Sequence, residues 1–179
     1  EADPLLTGQI AAMQRNGISL LEIRGVDGEN ISVLSPAKVK EVAHLLKENG
    51  IAVWSIGSPT GKVTLSDNWD AHMDSFKGML DAAATLGASA FRLFSFYEAQ
   101  NEKNEVIDRL GALLDVAKAH KVNLCHENEA RIYGEAPVDC EDIMKHFGGR
   151  MKSVLDMGNF ACADEDSAKA VSRPTTPKA

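Results

Sequence analysis

The sequence predicts an α/β protein whose parallel sheet curves into a barrel. Three observations carry this. Strand-like and helix-like stretches alternate five times, and the connections are the size of a helix. Such crossovers join parallel strands and are right-handed. Next, with a side-chain period of two, Glu22, Arg24, Arg92, Asn123, Glu127, Lys152 and Asp156 fall on one face of their strands. An open sheet covered by helices on both faces would bury these charges without partners, whereas a barrel turns them inward. Finally, two successive strands end in a carboxylate, Glu127 and Asp156. Strand C-termini are where sites form in parallel α/β proteins.

Taken in order, Pro4 to Asn16 has helical apolar spacing through Leu5, Leu6, Gln9, Ile10, Ala12 and Met13, and Gly17 stops it. Ile18 to Arg24 reads as a strand and Gly25 to Asn30 as a loop. Ser35 caps a helix that has Pro36 at its first position and runs to Glu48, where Asn49-Gly50 ends it. Ile51 to Ile56 is a strand, followed by a loop of turn formers, Gly57 to Lys62. Asn68 to Leu86 is a long helix with Ala82-Ala83-Ala84 suited to close packing on a sheet, and Gly87 stops it. Ser89 to Phe96 is a strand, Glu102 to His120 a helix, and Val122 to Glu127 a strand. A helix around Cys140 to Phe147 and a strand from Met151 to Asp156 follow. Asp164 onward starts as an acidic helix and ends in Arg173-Pro174-Thr175-Thr176-Pro177, which is not a helix interior.

Hydrophobic residues make up 44% and charged residues 25%, ordinary globular values, in 179 residues read as one domain, 1–179. The net charge of -7 and pI of 5.2 argue against a large nucleic-acid surface, which needs clustered Lys and Arg. No apolar run approaches the ~20 residues of a membrane span. The start reads as no signal peptide. Cys125, Cys140 and Cys162 are odd in number and widely spaced, so a reducing, cytoplasmic setting is expected.

Five segments together, LEIRGVDGENI (21–31), SIGSPTGK (55–62), FRLFSFY (91–97), CHENEARIYGE (125–135) and LDMGNF (155–160), resemble the xylose isomerase-like TIM-barrel family of sugar phosphate isomerases and epimerases. The resemblance implies a (β/α)8 barrel with a divalent metal ion (Mn, Mg, Zn or Co) at its C-terminal mouth. The ligands Glu, Asp, His and Glu come from strands five to eight. The first maps to Glu127 and the second to Asp156; the third and fourth have no counterpart. The chain then reads as about strands two to six, since a complete barrel has ~250 residues. Strands at the two ends of such a piece have unpaired edges, and self-association is expected.

The resemblance makes Glu127 metal ligand and catalytic acid or base for proton transfer next to a carbonyl through an enediolate. The plain alternative is a buried carboxylate paired with Arg or Lys. Asp156 is the second metal ligand or the cap of the following turn. Arg24, near the mouth, is a candidate for substrate hydroxyl or phosphate groups, and Glu22 with Arg92 reads as an internal salt bridge. Ser58, Gly61 and Lys62 form a loop over the mouth, with Ser58 and Lys62 as candidate substrate contacts or an ordinary connection. Tyr97, at a strand end, is a further substrate candidate. His126 falls on the face opposite Glu127 and reads as packed against helices. Glu129 and Tyr133 line the entrance or a solvated loop. Trp54, Phe91, Phe94 and Phe96 read as core more than as a sugar platform, with Phe96-Tyr97 at the strand end as the exception.

The expected ligand is a small sugar or sugar phosphate. A non-catalytic binding module is the alternative. An abasic-site endonuclease of the same barrel type is disfavoured by the charge and by the lack of strand-end histidines.

Overall fold

The computed structural model describes residues 2–162. Helix α1 (Leu6–Arg15) precedes strand β1 (Leu20–Ile23). A short hairpin, β2 (Gly25–Val26) and β3 (Glu29–Asn30), and a tight turn lead to α2 (Pro36–Glu48). Then come β4 (Ala52–Gly57), α3 (Trp69–Leu86), β5 (Ala90–Leu93), α4 (Lys103–His120), β6 (Asn123–Glu127), α5 (Pro137–Phe147), β7 (Lys152–Val154) and α6 (Met157–Cys162). The expected loop at 25–30 thus contains an antiparallel pair, Gly25 against Asn30 and Val26 against Glu29. The tail from Asp164 lies outside the described residues.

The helix ends follow from local chemistry. Ser35 accepts a hydrogen bond from the Lys38 amide, and Pro36 occupies the first turn of α2, where no amide is needed. The Asn68 side chain accepts from the Ala71 amide at the start of α3, and Gly87 ends that helix at a φ of 74°. Lys121 ends α4 in the same left-handed region, at 57°, without glycine's freedom.

The five long strands form one parallel sheet in the order β1-β4-β5-β6-β7. A sequential order with no reversal is a barrel wall; a doubly wound sheet changes direction midway. The register lays Glu22 beside Ser55, Gly57 beside Arg92, Arg92 beside Cys125, and Glu127 beside Val154, all on the inner face. The outer face carries Ile23, Ile56, Phe91, Leu93 and Leu124, at most 1% exposed, under α2, α3 and α4. Phe76 of α3 packs edge-on against Phe91 at 5.2 Å. Ala82 and Ala83 are buried there, but Ala84 of the same run is exposed, so only two of the three alanines pack as expected.

Two expectations need correction. Trp54 is not core: it is 50% exposed. Leu21 pairs with Val53 and Glu22 with Ser55, so Trp54 is the extra residue of a bulge and has no partner on β1, although its carbonyl accepts the Ser89 amide on the other side. The strand expected over Ser89 to Phe96 stops at Leu93. Beyond it the Phe94, Phe96 and Tyr97 amides donate to the carbonyls of Thr60, Gly61 and Val63 in the loop after β4. Gly61 sits at a φ of 84° against the Phe94 carbonyl, where any side chain would collide. Among the described residues no helix is long and apolar enough to cross a membrane.

Candidate functional site

The inner face opens at the C-terminal ends of the strands into a cavity of about 250 Å³. It gathers five of the six residues singled out in the sequence: Arg24, Ser58, Lys62, Glu127 and Asp156. The sixth, Tyr97, does not line it. Tyr97 bridges to Thr64 and Ile132, and its ring lies 6.0 Å from the Arg131 guanidinium. The loop pairing that shortens β5 turns Phe96 to a φ of 68° and breaks the alternation that would have aimed Tyr97 inward. Tyr133 is not at the entrance either; it is 4% exposed, and its hydroxyl donates to Asp142.

Glu127 ends β6 and is 7% exposed. Arg92 of β5 stands between two carboxylates, with Nη1 3.2 Å from Glu22 Oε1 and Nε 3.0 Å from Glu127 Oε2. The expected Glu22–Arg92 bridge is therefore present, and it extends to Glu127. Arg92 Nε and Glu127 Oε2 nevertheless lack an aligned hydrogen bond, although both are buried. Their charges attract across the gap, so Oε2 is paired by charge without a directed hydrogen bond. Burial pushes the Glu127 carboxyl above its ordinary pKa; Arg92 opposes this, and Asp156, Glu22 and Glu129 add to it. Gly57 lies beneath the bridge. A side chain there would come within 3.0 Å of Glu22 Oε1 and 3.4 Å of Arg92 Nη2.

Asp156 lies two residues past the end of β7, where the chain turns into α6. Its Oδ1 accepts the Asn159 amide at 2.9 Å, so it does cap the turn. It also lines the cavity. Lys62 Nζ sits 4.3 Å above the Phe94 ring and 2.7 Å from Glu129 Oε2. Ser58 is 1% exposed and gives its hydroxyl proton to the Arg92 carbonyl while accepting the Thr60 amide. That hydroxyl holds the loop in place and has no proton left to offer a ligand. Arg24 is exposed at the rim.

His126 faces the helices, as its strand position predicts. It is fully buried, with Nε2 2.9 Å from Ser95 Oγ, and burial lowers its pKa to about 4. It is a neutral packing residue. Sequence reasoning missed Asn128 and Asn159, which tie the ends of β6 and β7 together. The one available signal was a polar residue directly after a strand-end glutamate. Among the described residues, no three of His, Cys, Asp and Glu converge on one point where a metal ion could sit. Glu127 and Asp156 supply two oxygen donors.

A sequentially wound parallel barrel wall with acidic strand ends at its C-terminal mouth defines a class of α/β barrel. Within that class, the chain belongs to the xylose isomerase-like TIM barrel family, which matches residues 10–176. No curated protein matches the chain. Among solved structures it is similar to the IOLI protein with a binding zinc atom, at 16% identity and a TM-score of 0.78 over 97% of this chain and 65% of that one. It is also similar to D-psicose 3-epimerase in the presence of D-fructose, at 18% identity and a TM-score of 0.69 over 91% and 62%. A xylose isomerase-like TIM barrel protein from Mycobacterium smegmatis in complex with magnesium matches at 18% identity and 0.67 over 85% and 56%. At these identities the likeness is one of fold. The chain spans about three fifths of the length of these structures.

Proposed function

We propose that this chain carries part of the active site of a metal-dependent sugar or sugar-phosphate isomerase or epimerase. The observation behind this reading is the meeting of Glu127 and Asp156 in one cavity, with Glu127 Oε2 buried and without an aligned hydrogen bond. Two carboxylates from adjacent strand ends suit a divalent ion such as magnesium, manganese, zinc or cobalt, and Glu127 and Asp156 are the residues that would hold it. A bound ion supplies Lewis-acid polarisation of a sugar carbonyl and offsets the negative charge of an enediolate. Glu127 takes the proton from the carbon next to the carbonyl and returns it. Arg92 limits the rise in the Glu127 pKa and orients the carboxylate. Lys62 and Arg24 stand at the rim as cations for substrate hydroxyl or phosphate oxygens. Ser58 acts through the loop it holds, and Tyr97 would reach a substrate only from outside the cavity. The three free cysteines fit a cytoplasmic setting.

The test is deuterium incorporation from D₂O into ketoses and ketose phosphates, with each of the four ions added in turn. Incorporation by the wild type and its loss in Glu127→Gln are expected. A wild type that exchanges no proton with any ion refutes the reading. One observation favours a non-catalytic binding role: Arg92 already neutralises Glu127 from 3.0 Å. Sugar binding without exchange would select that alternative.

A further inference from the structure

We infer that Asn128 is a positioning residue for the Asp156 carboxylate, so that one dipeptide, Glu127-Asn128, places two of the three acids that line the cavity, the third being Glu129. The inference rests on the carboxylate–metal reading of the site given above.

Backbone pairing between β6 and β7 ends with Glu127 beside Val154. Two residues later the chain bends from β7 into α6, and a peptide group at such a bend loses its strand neighbour. The Asn128 side chain replaces that neighbour. Its Oδ1 accepts the Asp156 amide at 2.8 Å, and its Nδ2 donates to the Asp156 carbonyl at 2.8 Å. A primary amide offers the same donor and acceptor as a peptide, so the side chain adds one rung to the ladder. The orientation of the amide is settled by chemistry, because the Asp156 N–H can only donate and its carbonyl can only accept.

The clamp closes on itself. Asn159 Nδ2 donates to the Asn128 carbonyl at 2.8 Å, and the Asn159 amide donates to Asp156 Oδ1 at 2.9 Å. Asp156 is thus held at its backbone by two bonds from Asn128, beside the Phe160 amide that its carbonyl also accepts at 3.4 Å, and at its carboxylate by one, which leaves Oδ2 for a ligand. Asn128 is itself 2% exposed. A buried amide with its donor and acceptors used is rigid, and rigidity of this kind sets the aim of a carboxylate. Loss of a group that orients a metal ligand typically weakens metal binding by about 10- to 100-fold.

Asn128→Leu removes both bonds while keeping the branching of the side chain, and adds no charge. We expect it to weaken Mn²⁺ binding by about 10-fold or more, measured by water-proton relaxation. Asp156→Asn should also weaken binding, and the double variant should bind no worse than Asp156→Asn alone, because Asn128 acts through Asp156. Hydrogen exchange at the Asp156 amide should quicken in Asn128→Leu, while the Leu124 amide stays protected.

An Asn128→Leu variant that binds Mn²⁺ like the wild type, or whose loss adds fully to that of Asp156→Asn, overturns the inference. Should that variant fail to fold, Asn159→Ala decides: a smaller loss of Mn²⁺ affinity, again absent in the Asp156→Asn background, supports the clamp, and unchanged affinity overturns it. A wild type that binds no Mn²⁺ removes the metal reading and this inference together. Binding that depends on Asp156 but not on Asn128 removes this inference alone.

Discussion

Lowering the pH should destabilise this protein through His126. The imidazole lies on the helix-facing side of β6, 1% exposed, against Ser95 Oγ, which also accepts the Gly134 amide. A side chain on Gly134 would collide with the imidazole ring, so the ring has no room to swing out to water. Burial alone lowers its pKa from 6.5 to about 4. In the unfolded chain the imidazole takes up a proton below about pH 6.5, whereas in the fold it resists until about pH 4. Between those values the unfolded state binds more protons, so stability falls as the pH falls. At 1.36 kcal/mol per pKa unit, the loss is about 2 kcal/mol at pH 5 and about 3 kcal/mol at pH 4. Glu127 works in the opposite sense, since its raised pKa makes the fold bind a proton more readily. The comparison with His126→Gln cancels that contribution. The assay is urea unfolding followed by circular dichroism between about pH 7 and pH 4 for both proteins. The gap between their stabilities should narrow or reverse with acid by the amounts given. Parallel curves across that range would refute the argument.

Asp156→Asn should mainly weaken metal binding, and Glu127→Gln should abolish proton exchange; titration with Mn²⁺ and exchange in D₂O on both variants check this, and unchanged values in both would exclude the pair as the site. Gly61→Ala forces a side chain into a left-handed backbone position and against the Phe94 carbonyl, so a loss of about 2–4 kcal/mol is expected in denaturant melts. Among the described residues β1 and β7 each have one hydrogen-bonded neighbour, and the 179-residue chain by itself should self-associate. Light scattering that shows a monodisperse, heat-resistant monomer of 19.3 kDa would contradict that expectation.

The sequence by itself determined the features that arise within a few residues of chain. The Ser35 cap with Pro36 and the Gly87 stop are settled by local donors, acceptors and backbone freedom. The alternation that turns Glu127 inward and His126 outward is a property of any strand, and it placed both correctly. Sequential parallel strands followed from helix-sized crossovers. The tertiary structure decided what depends on partners far along the chain. The Ser58 hydroxyl is taken by the Arg92 carbonyl 34 residues away, Lys62 pairs with Glu129 67 residues away, and Asn128 clamps Asp156 28 residues away. The bulge that exposes Trp54, and the loop pairing that shortens β5 and turns Tyr97 from the cavity, arise from register between neighbours. A period of two assigns a face to each residue. It does not say which atoms of that face have already spent their hydrogen bonds, because that is settled only when distant strand ends and loops are packed together.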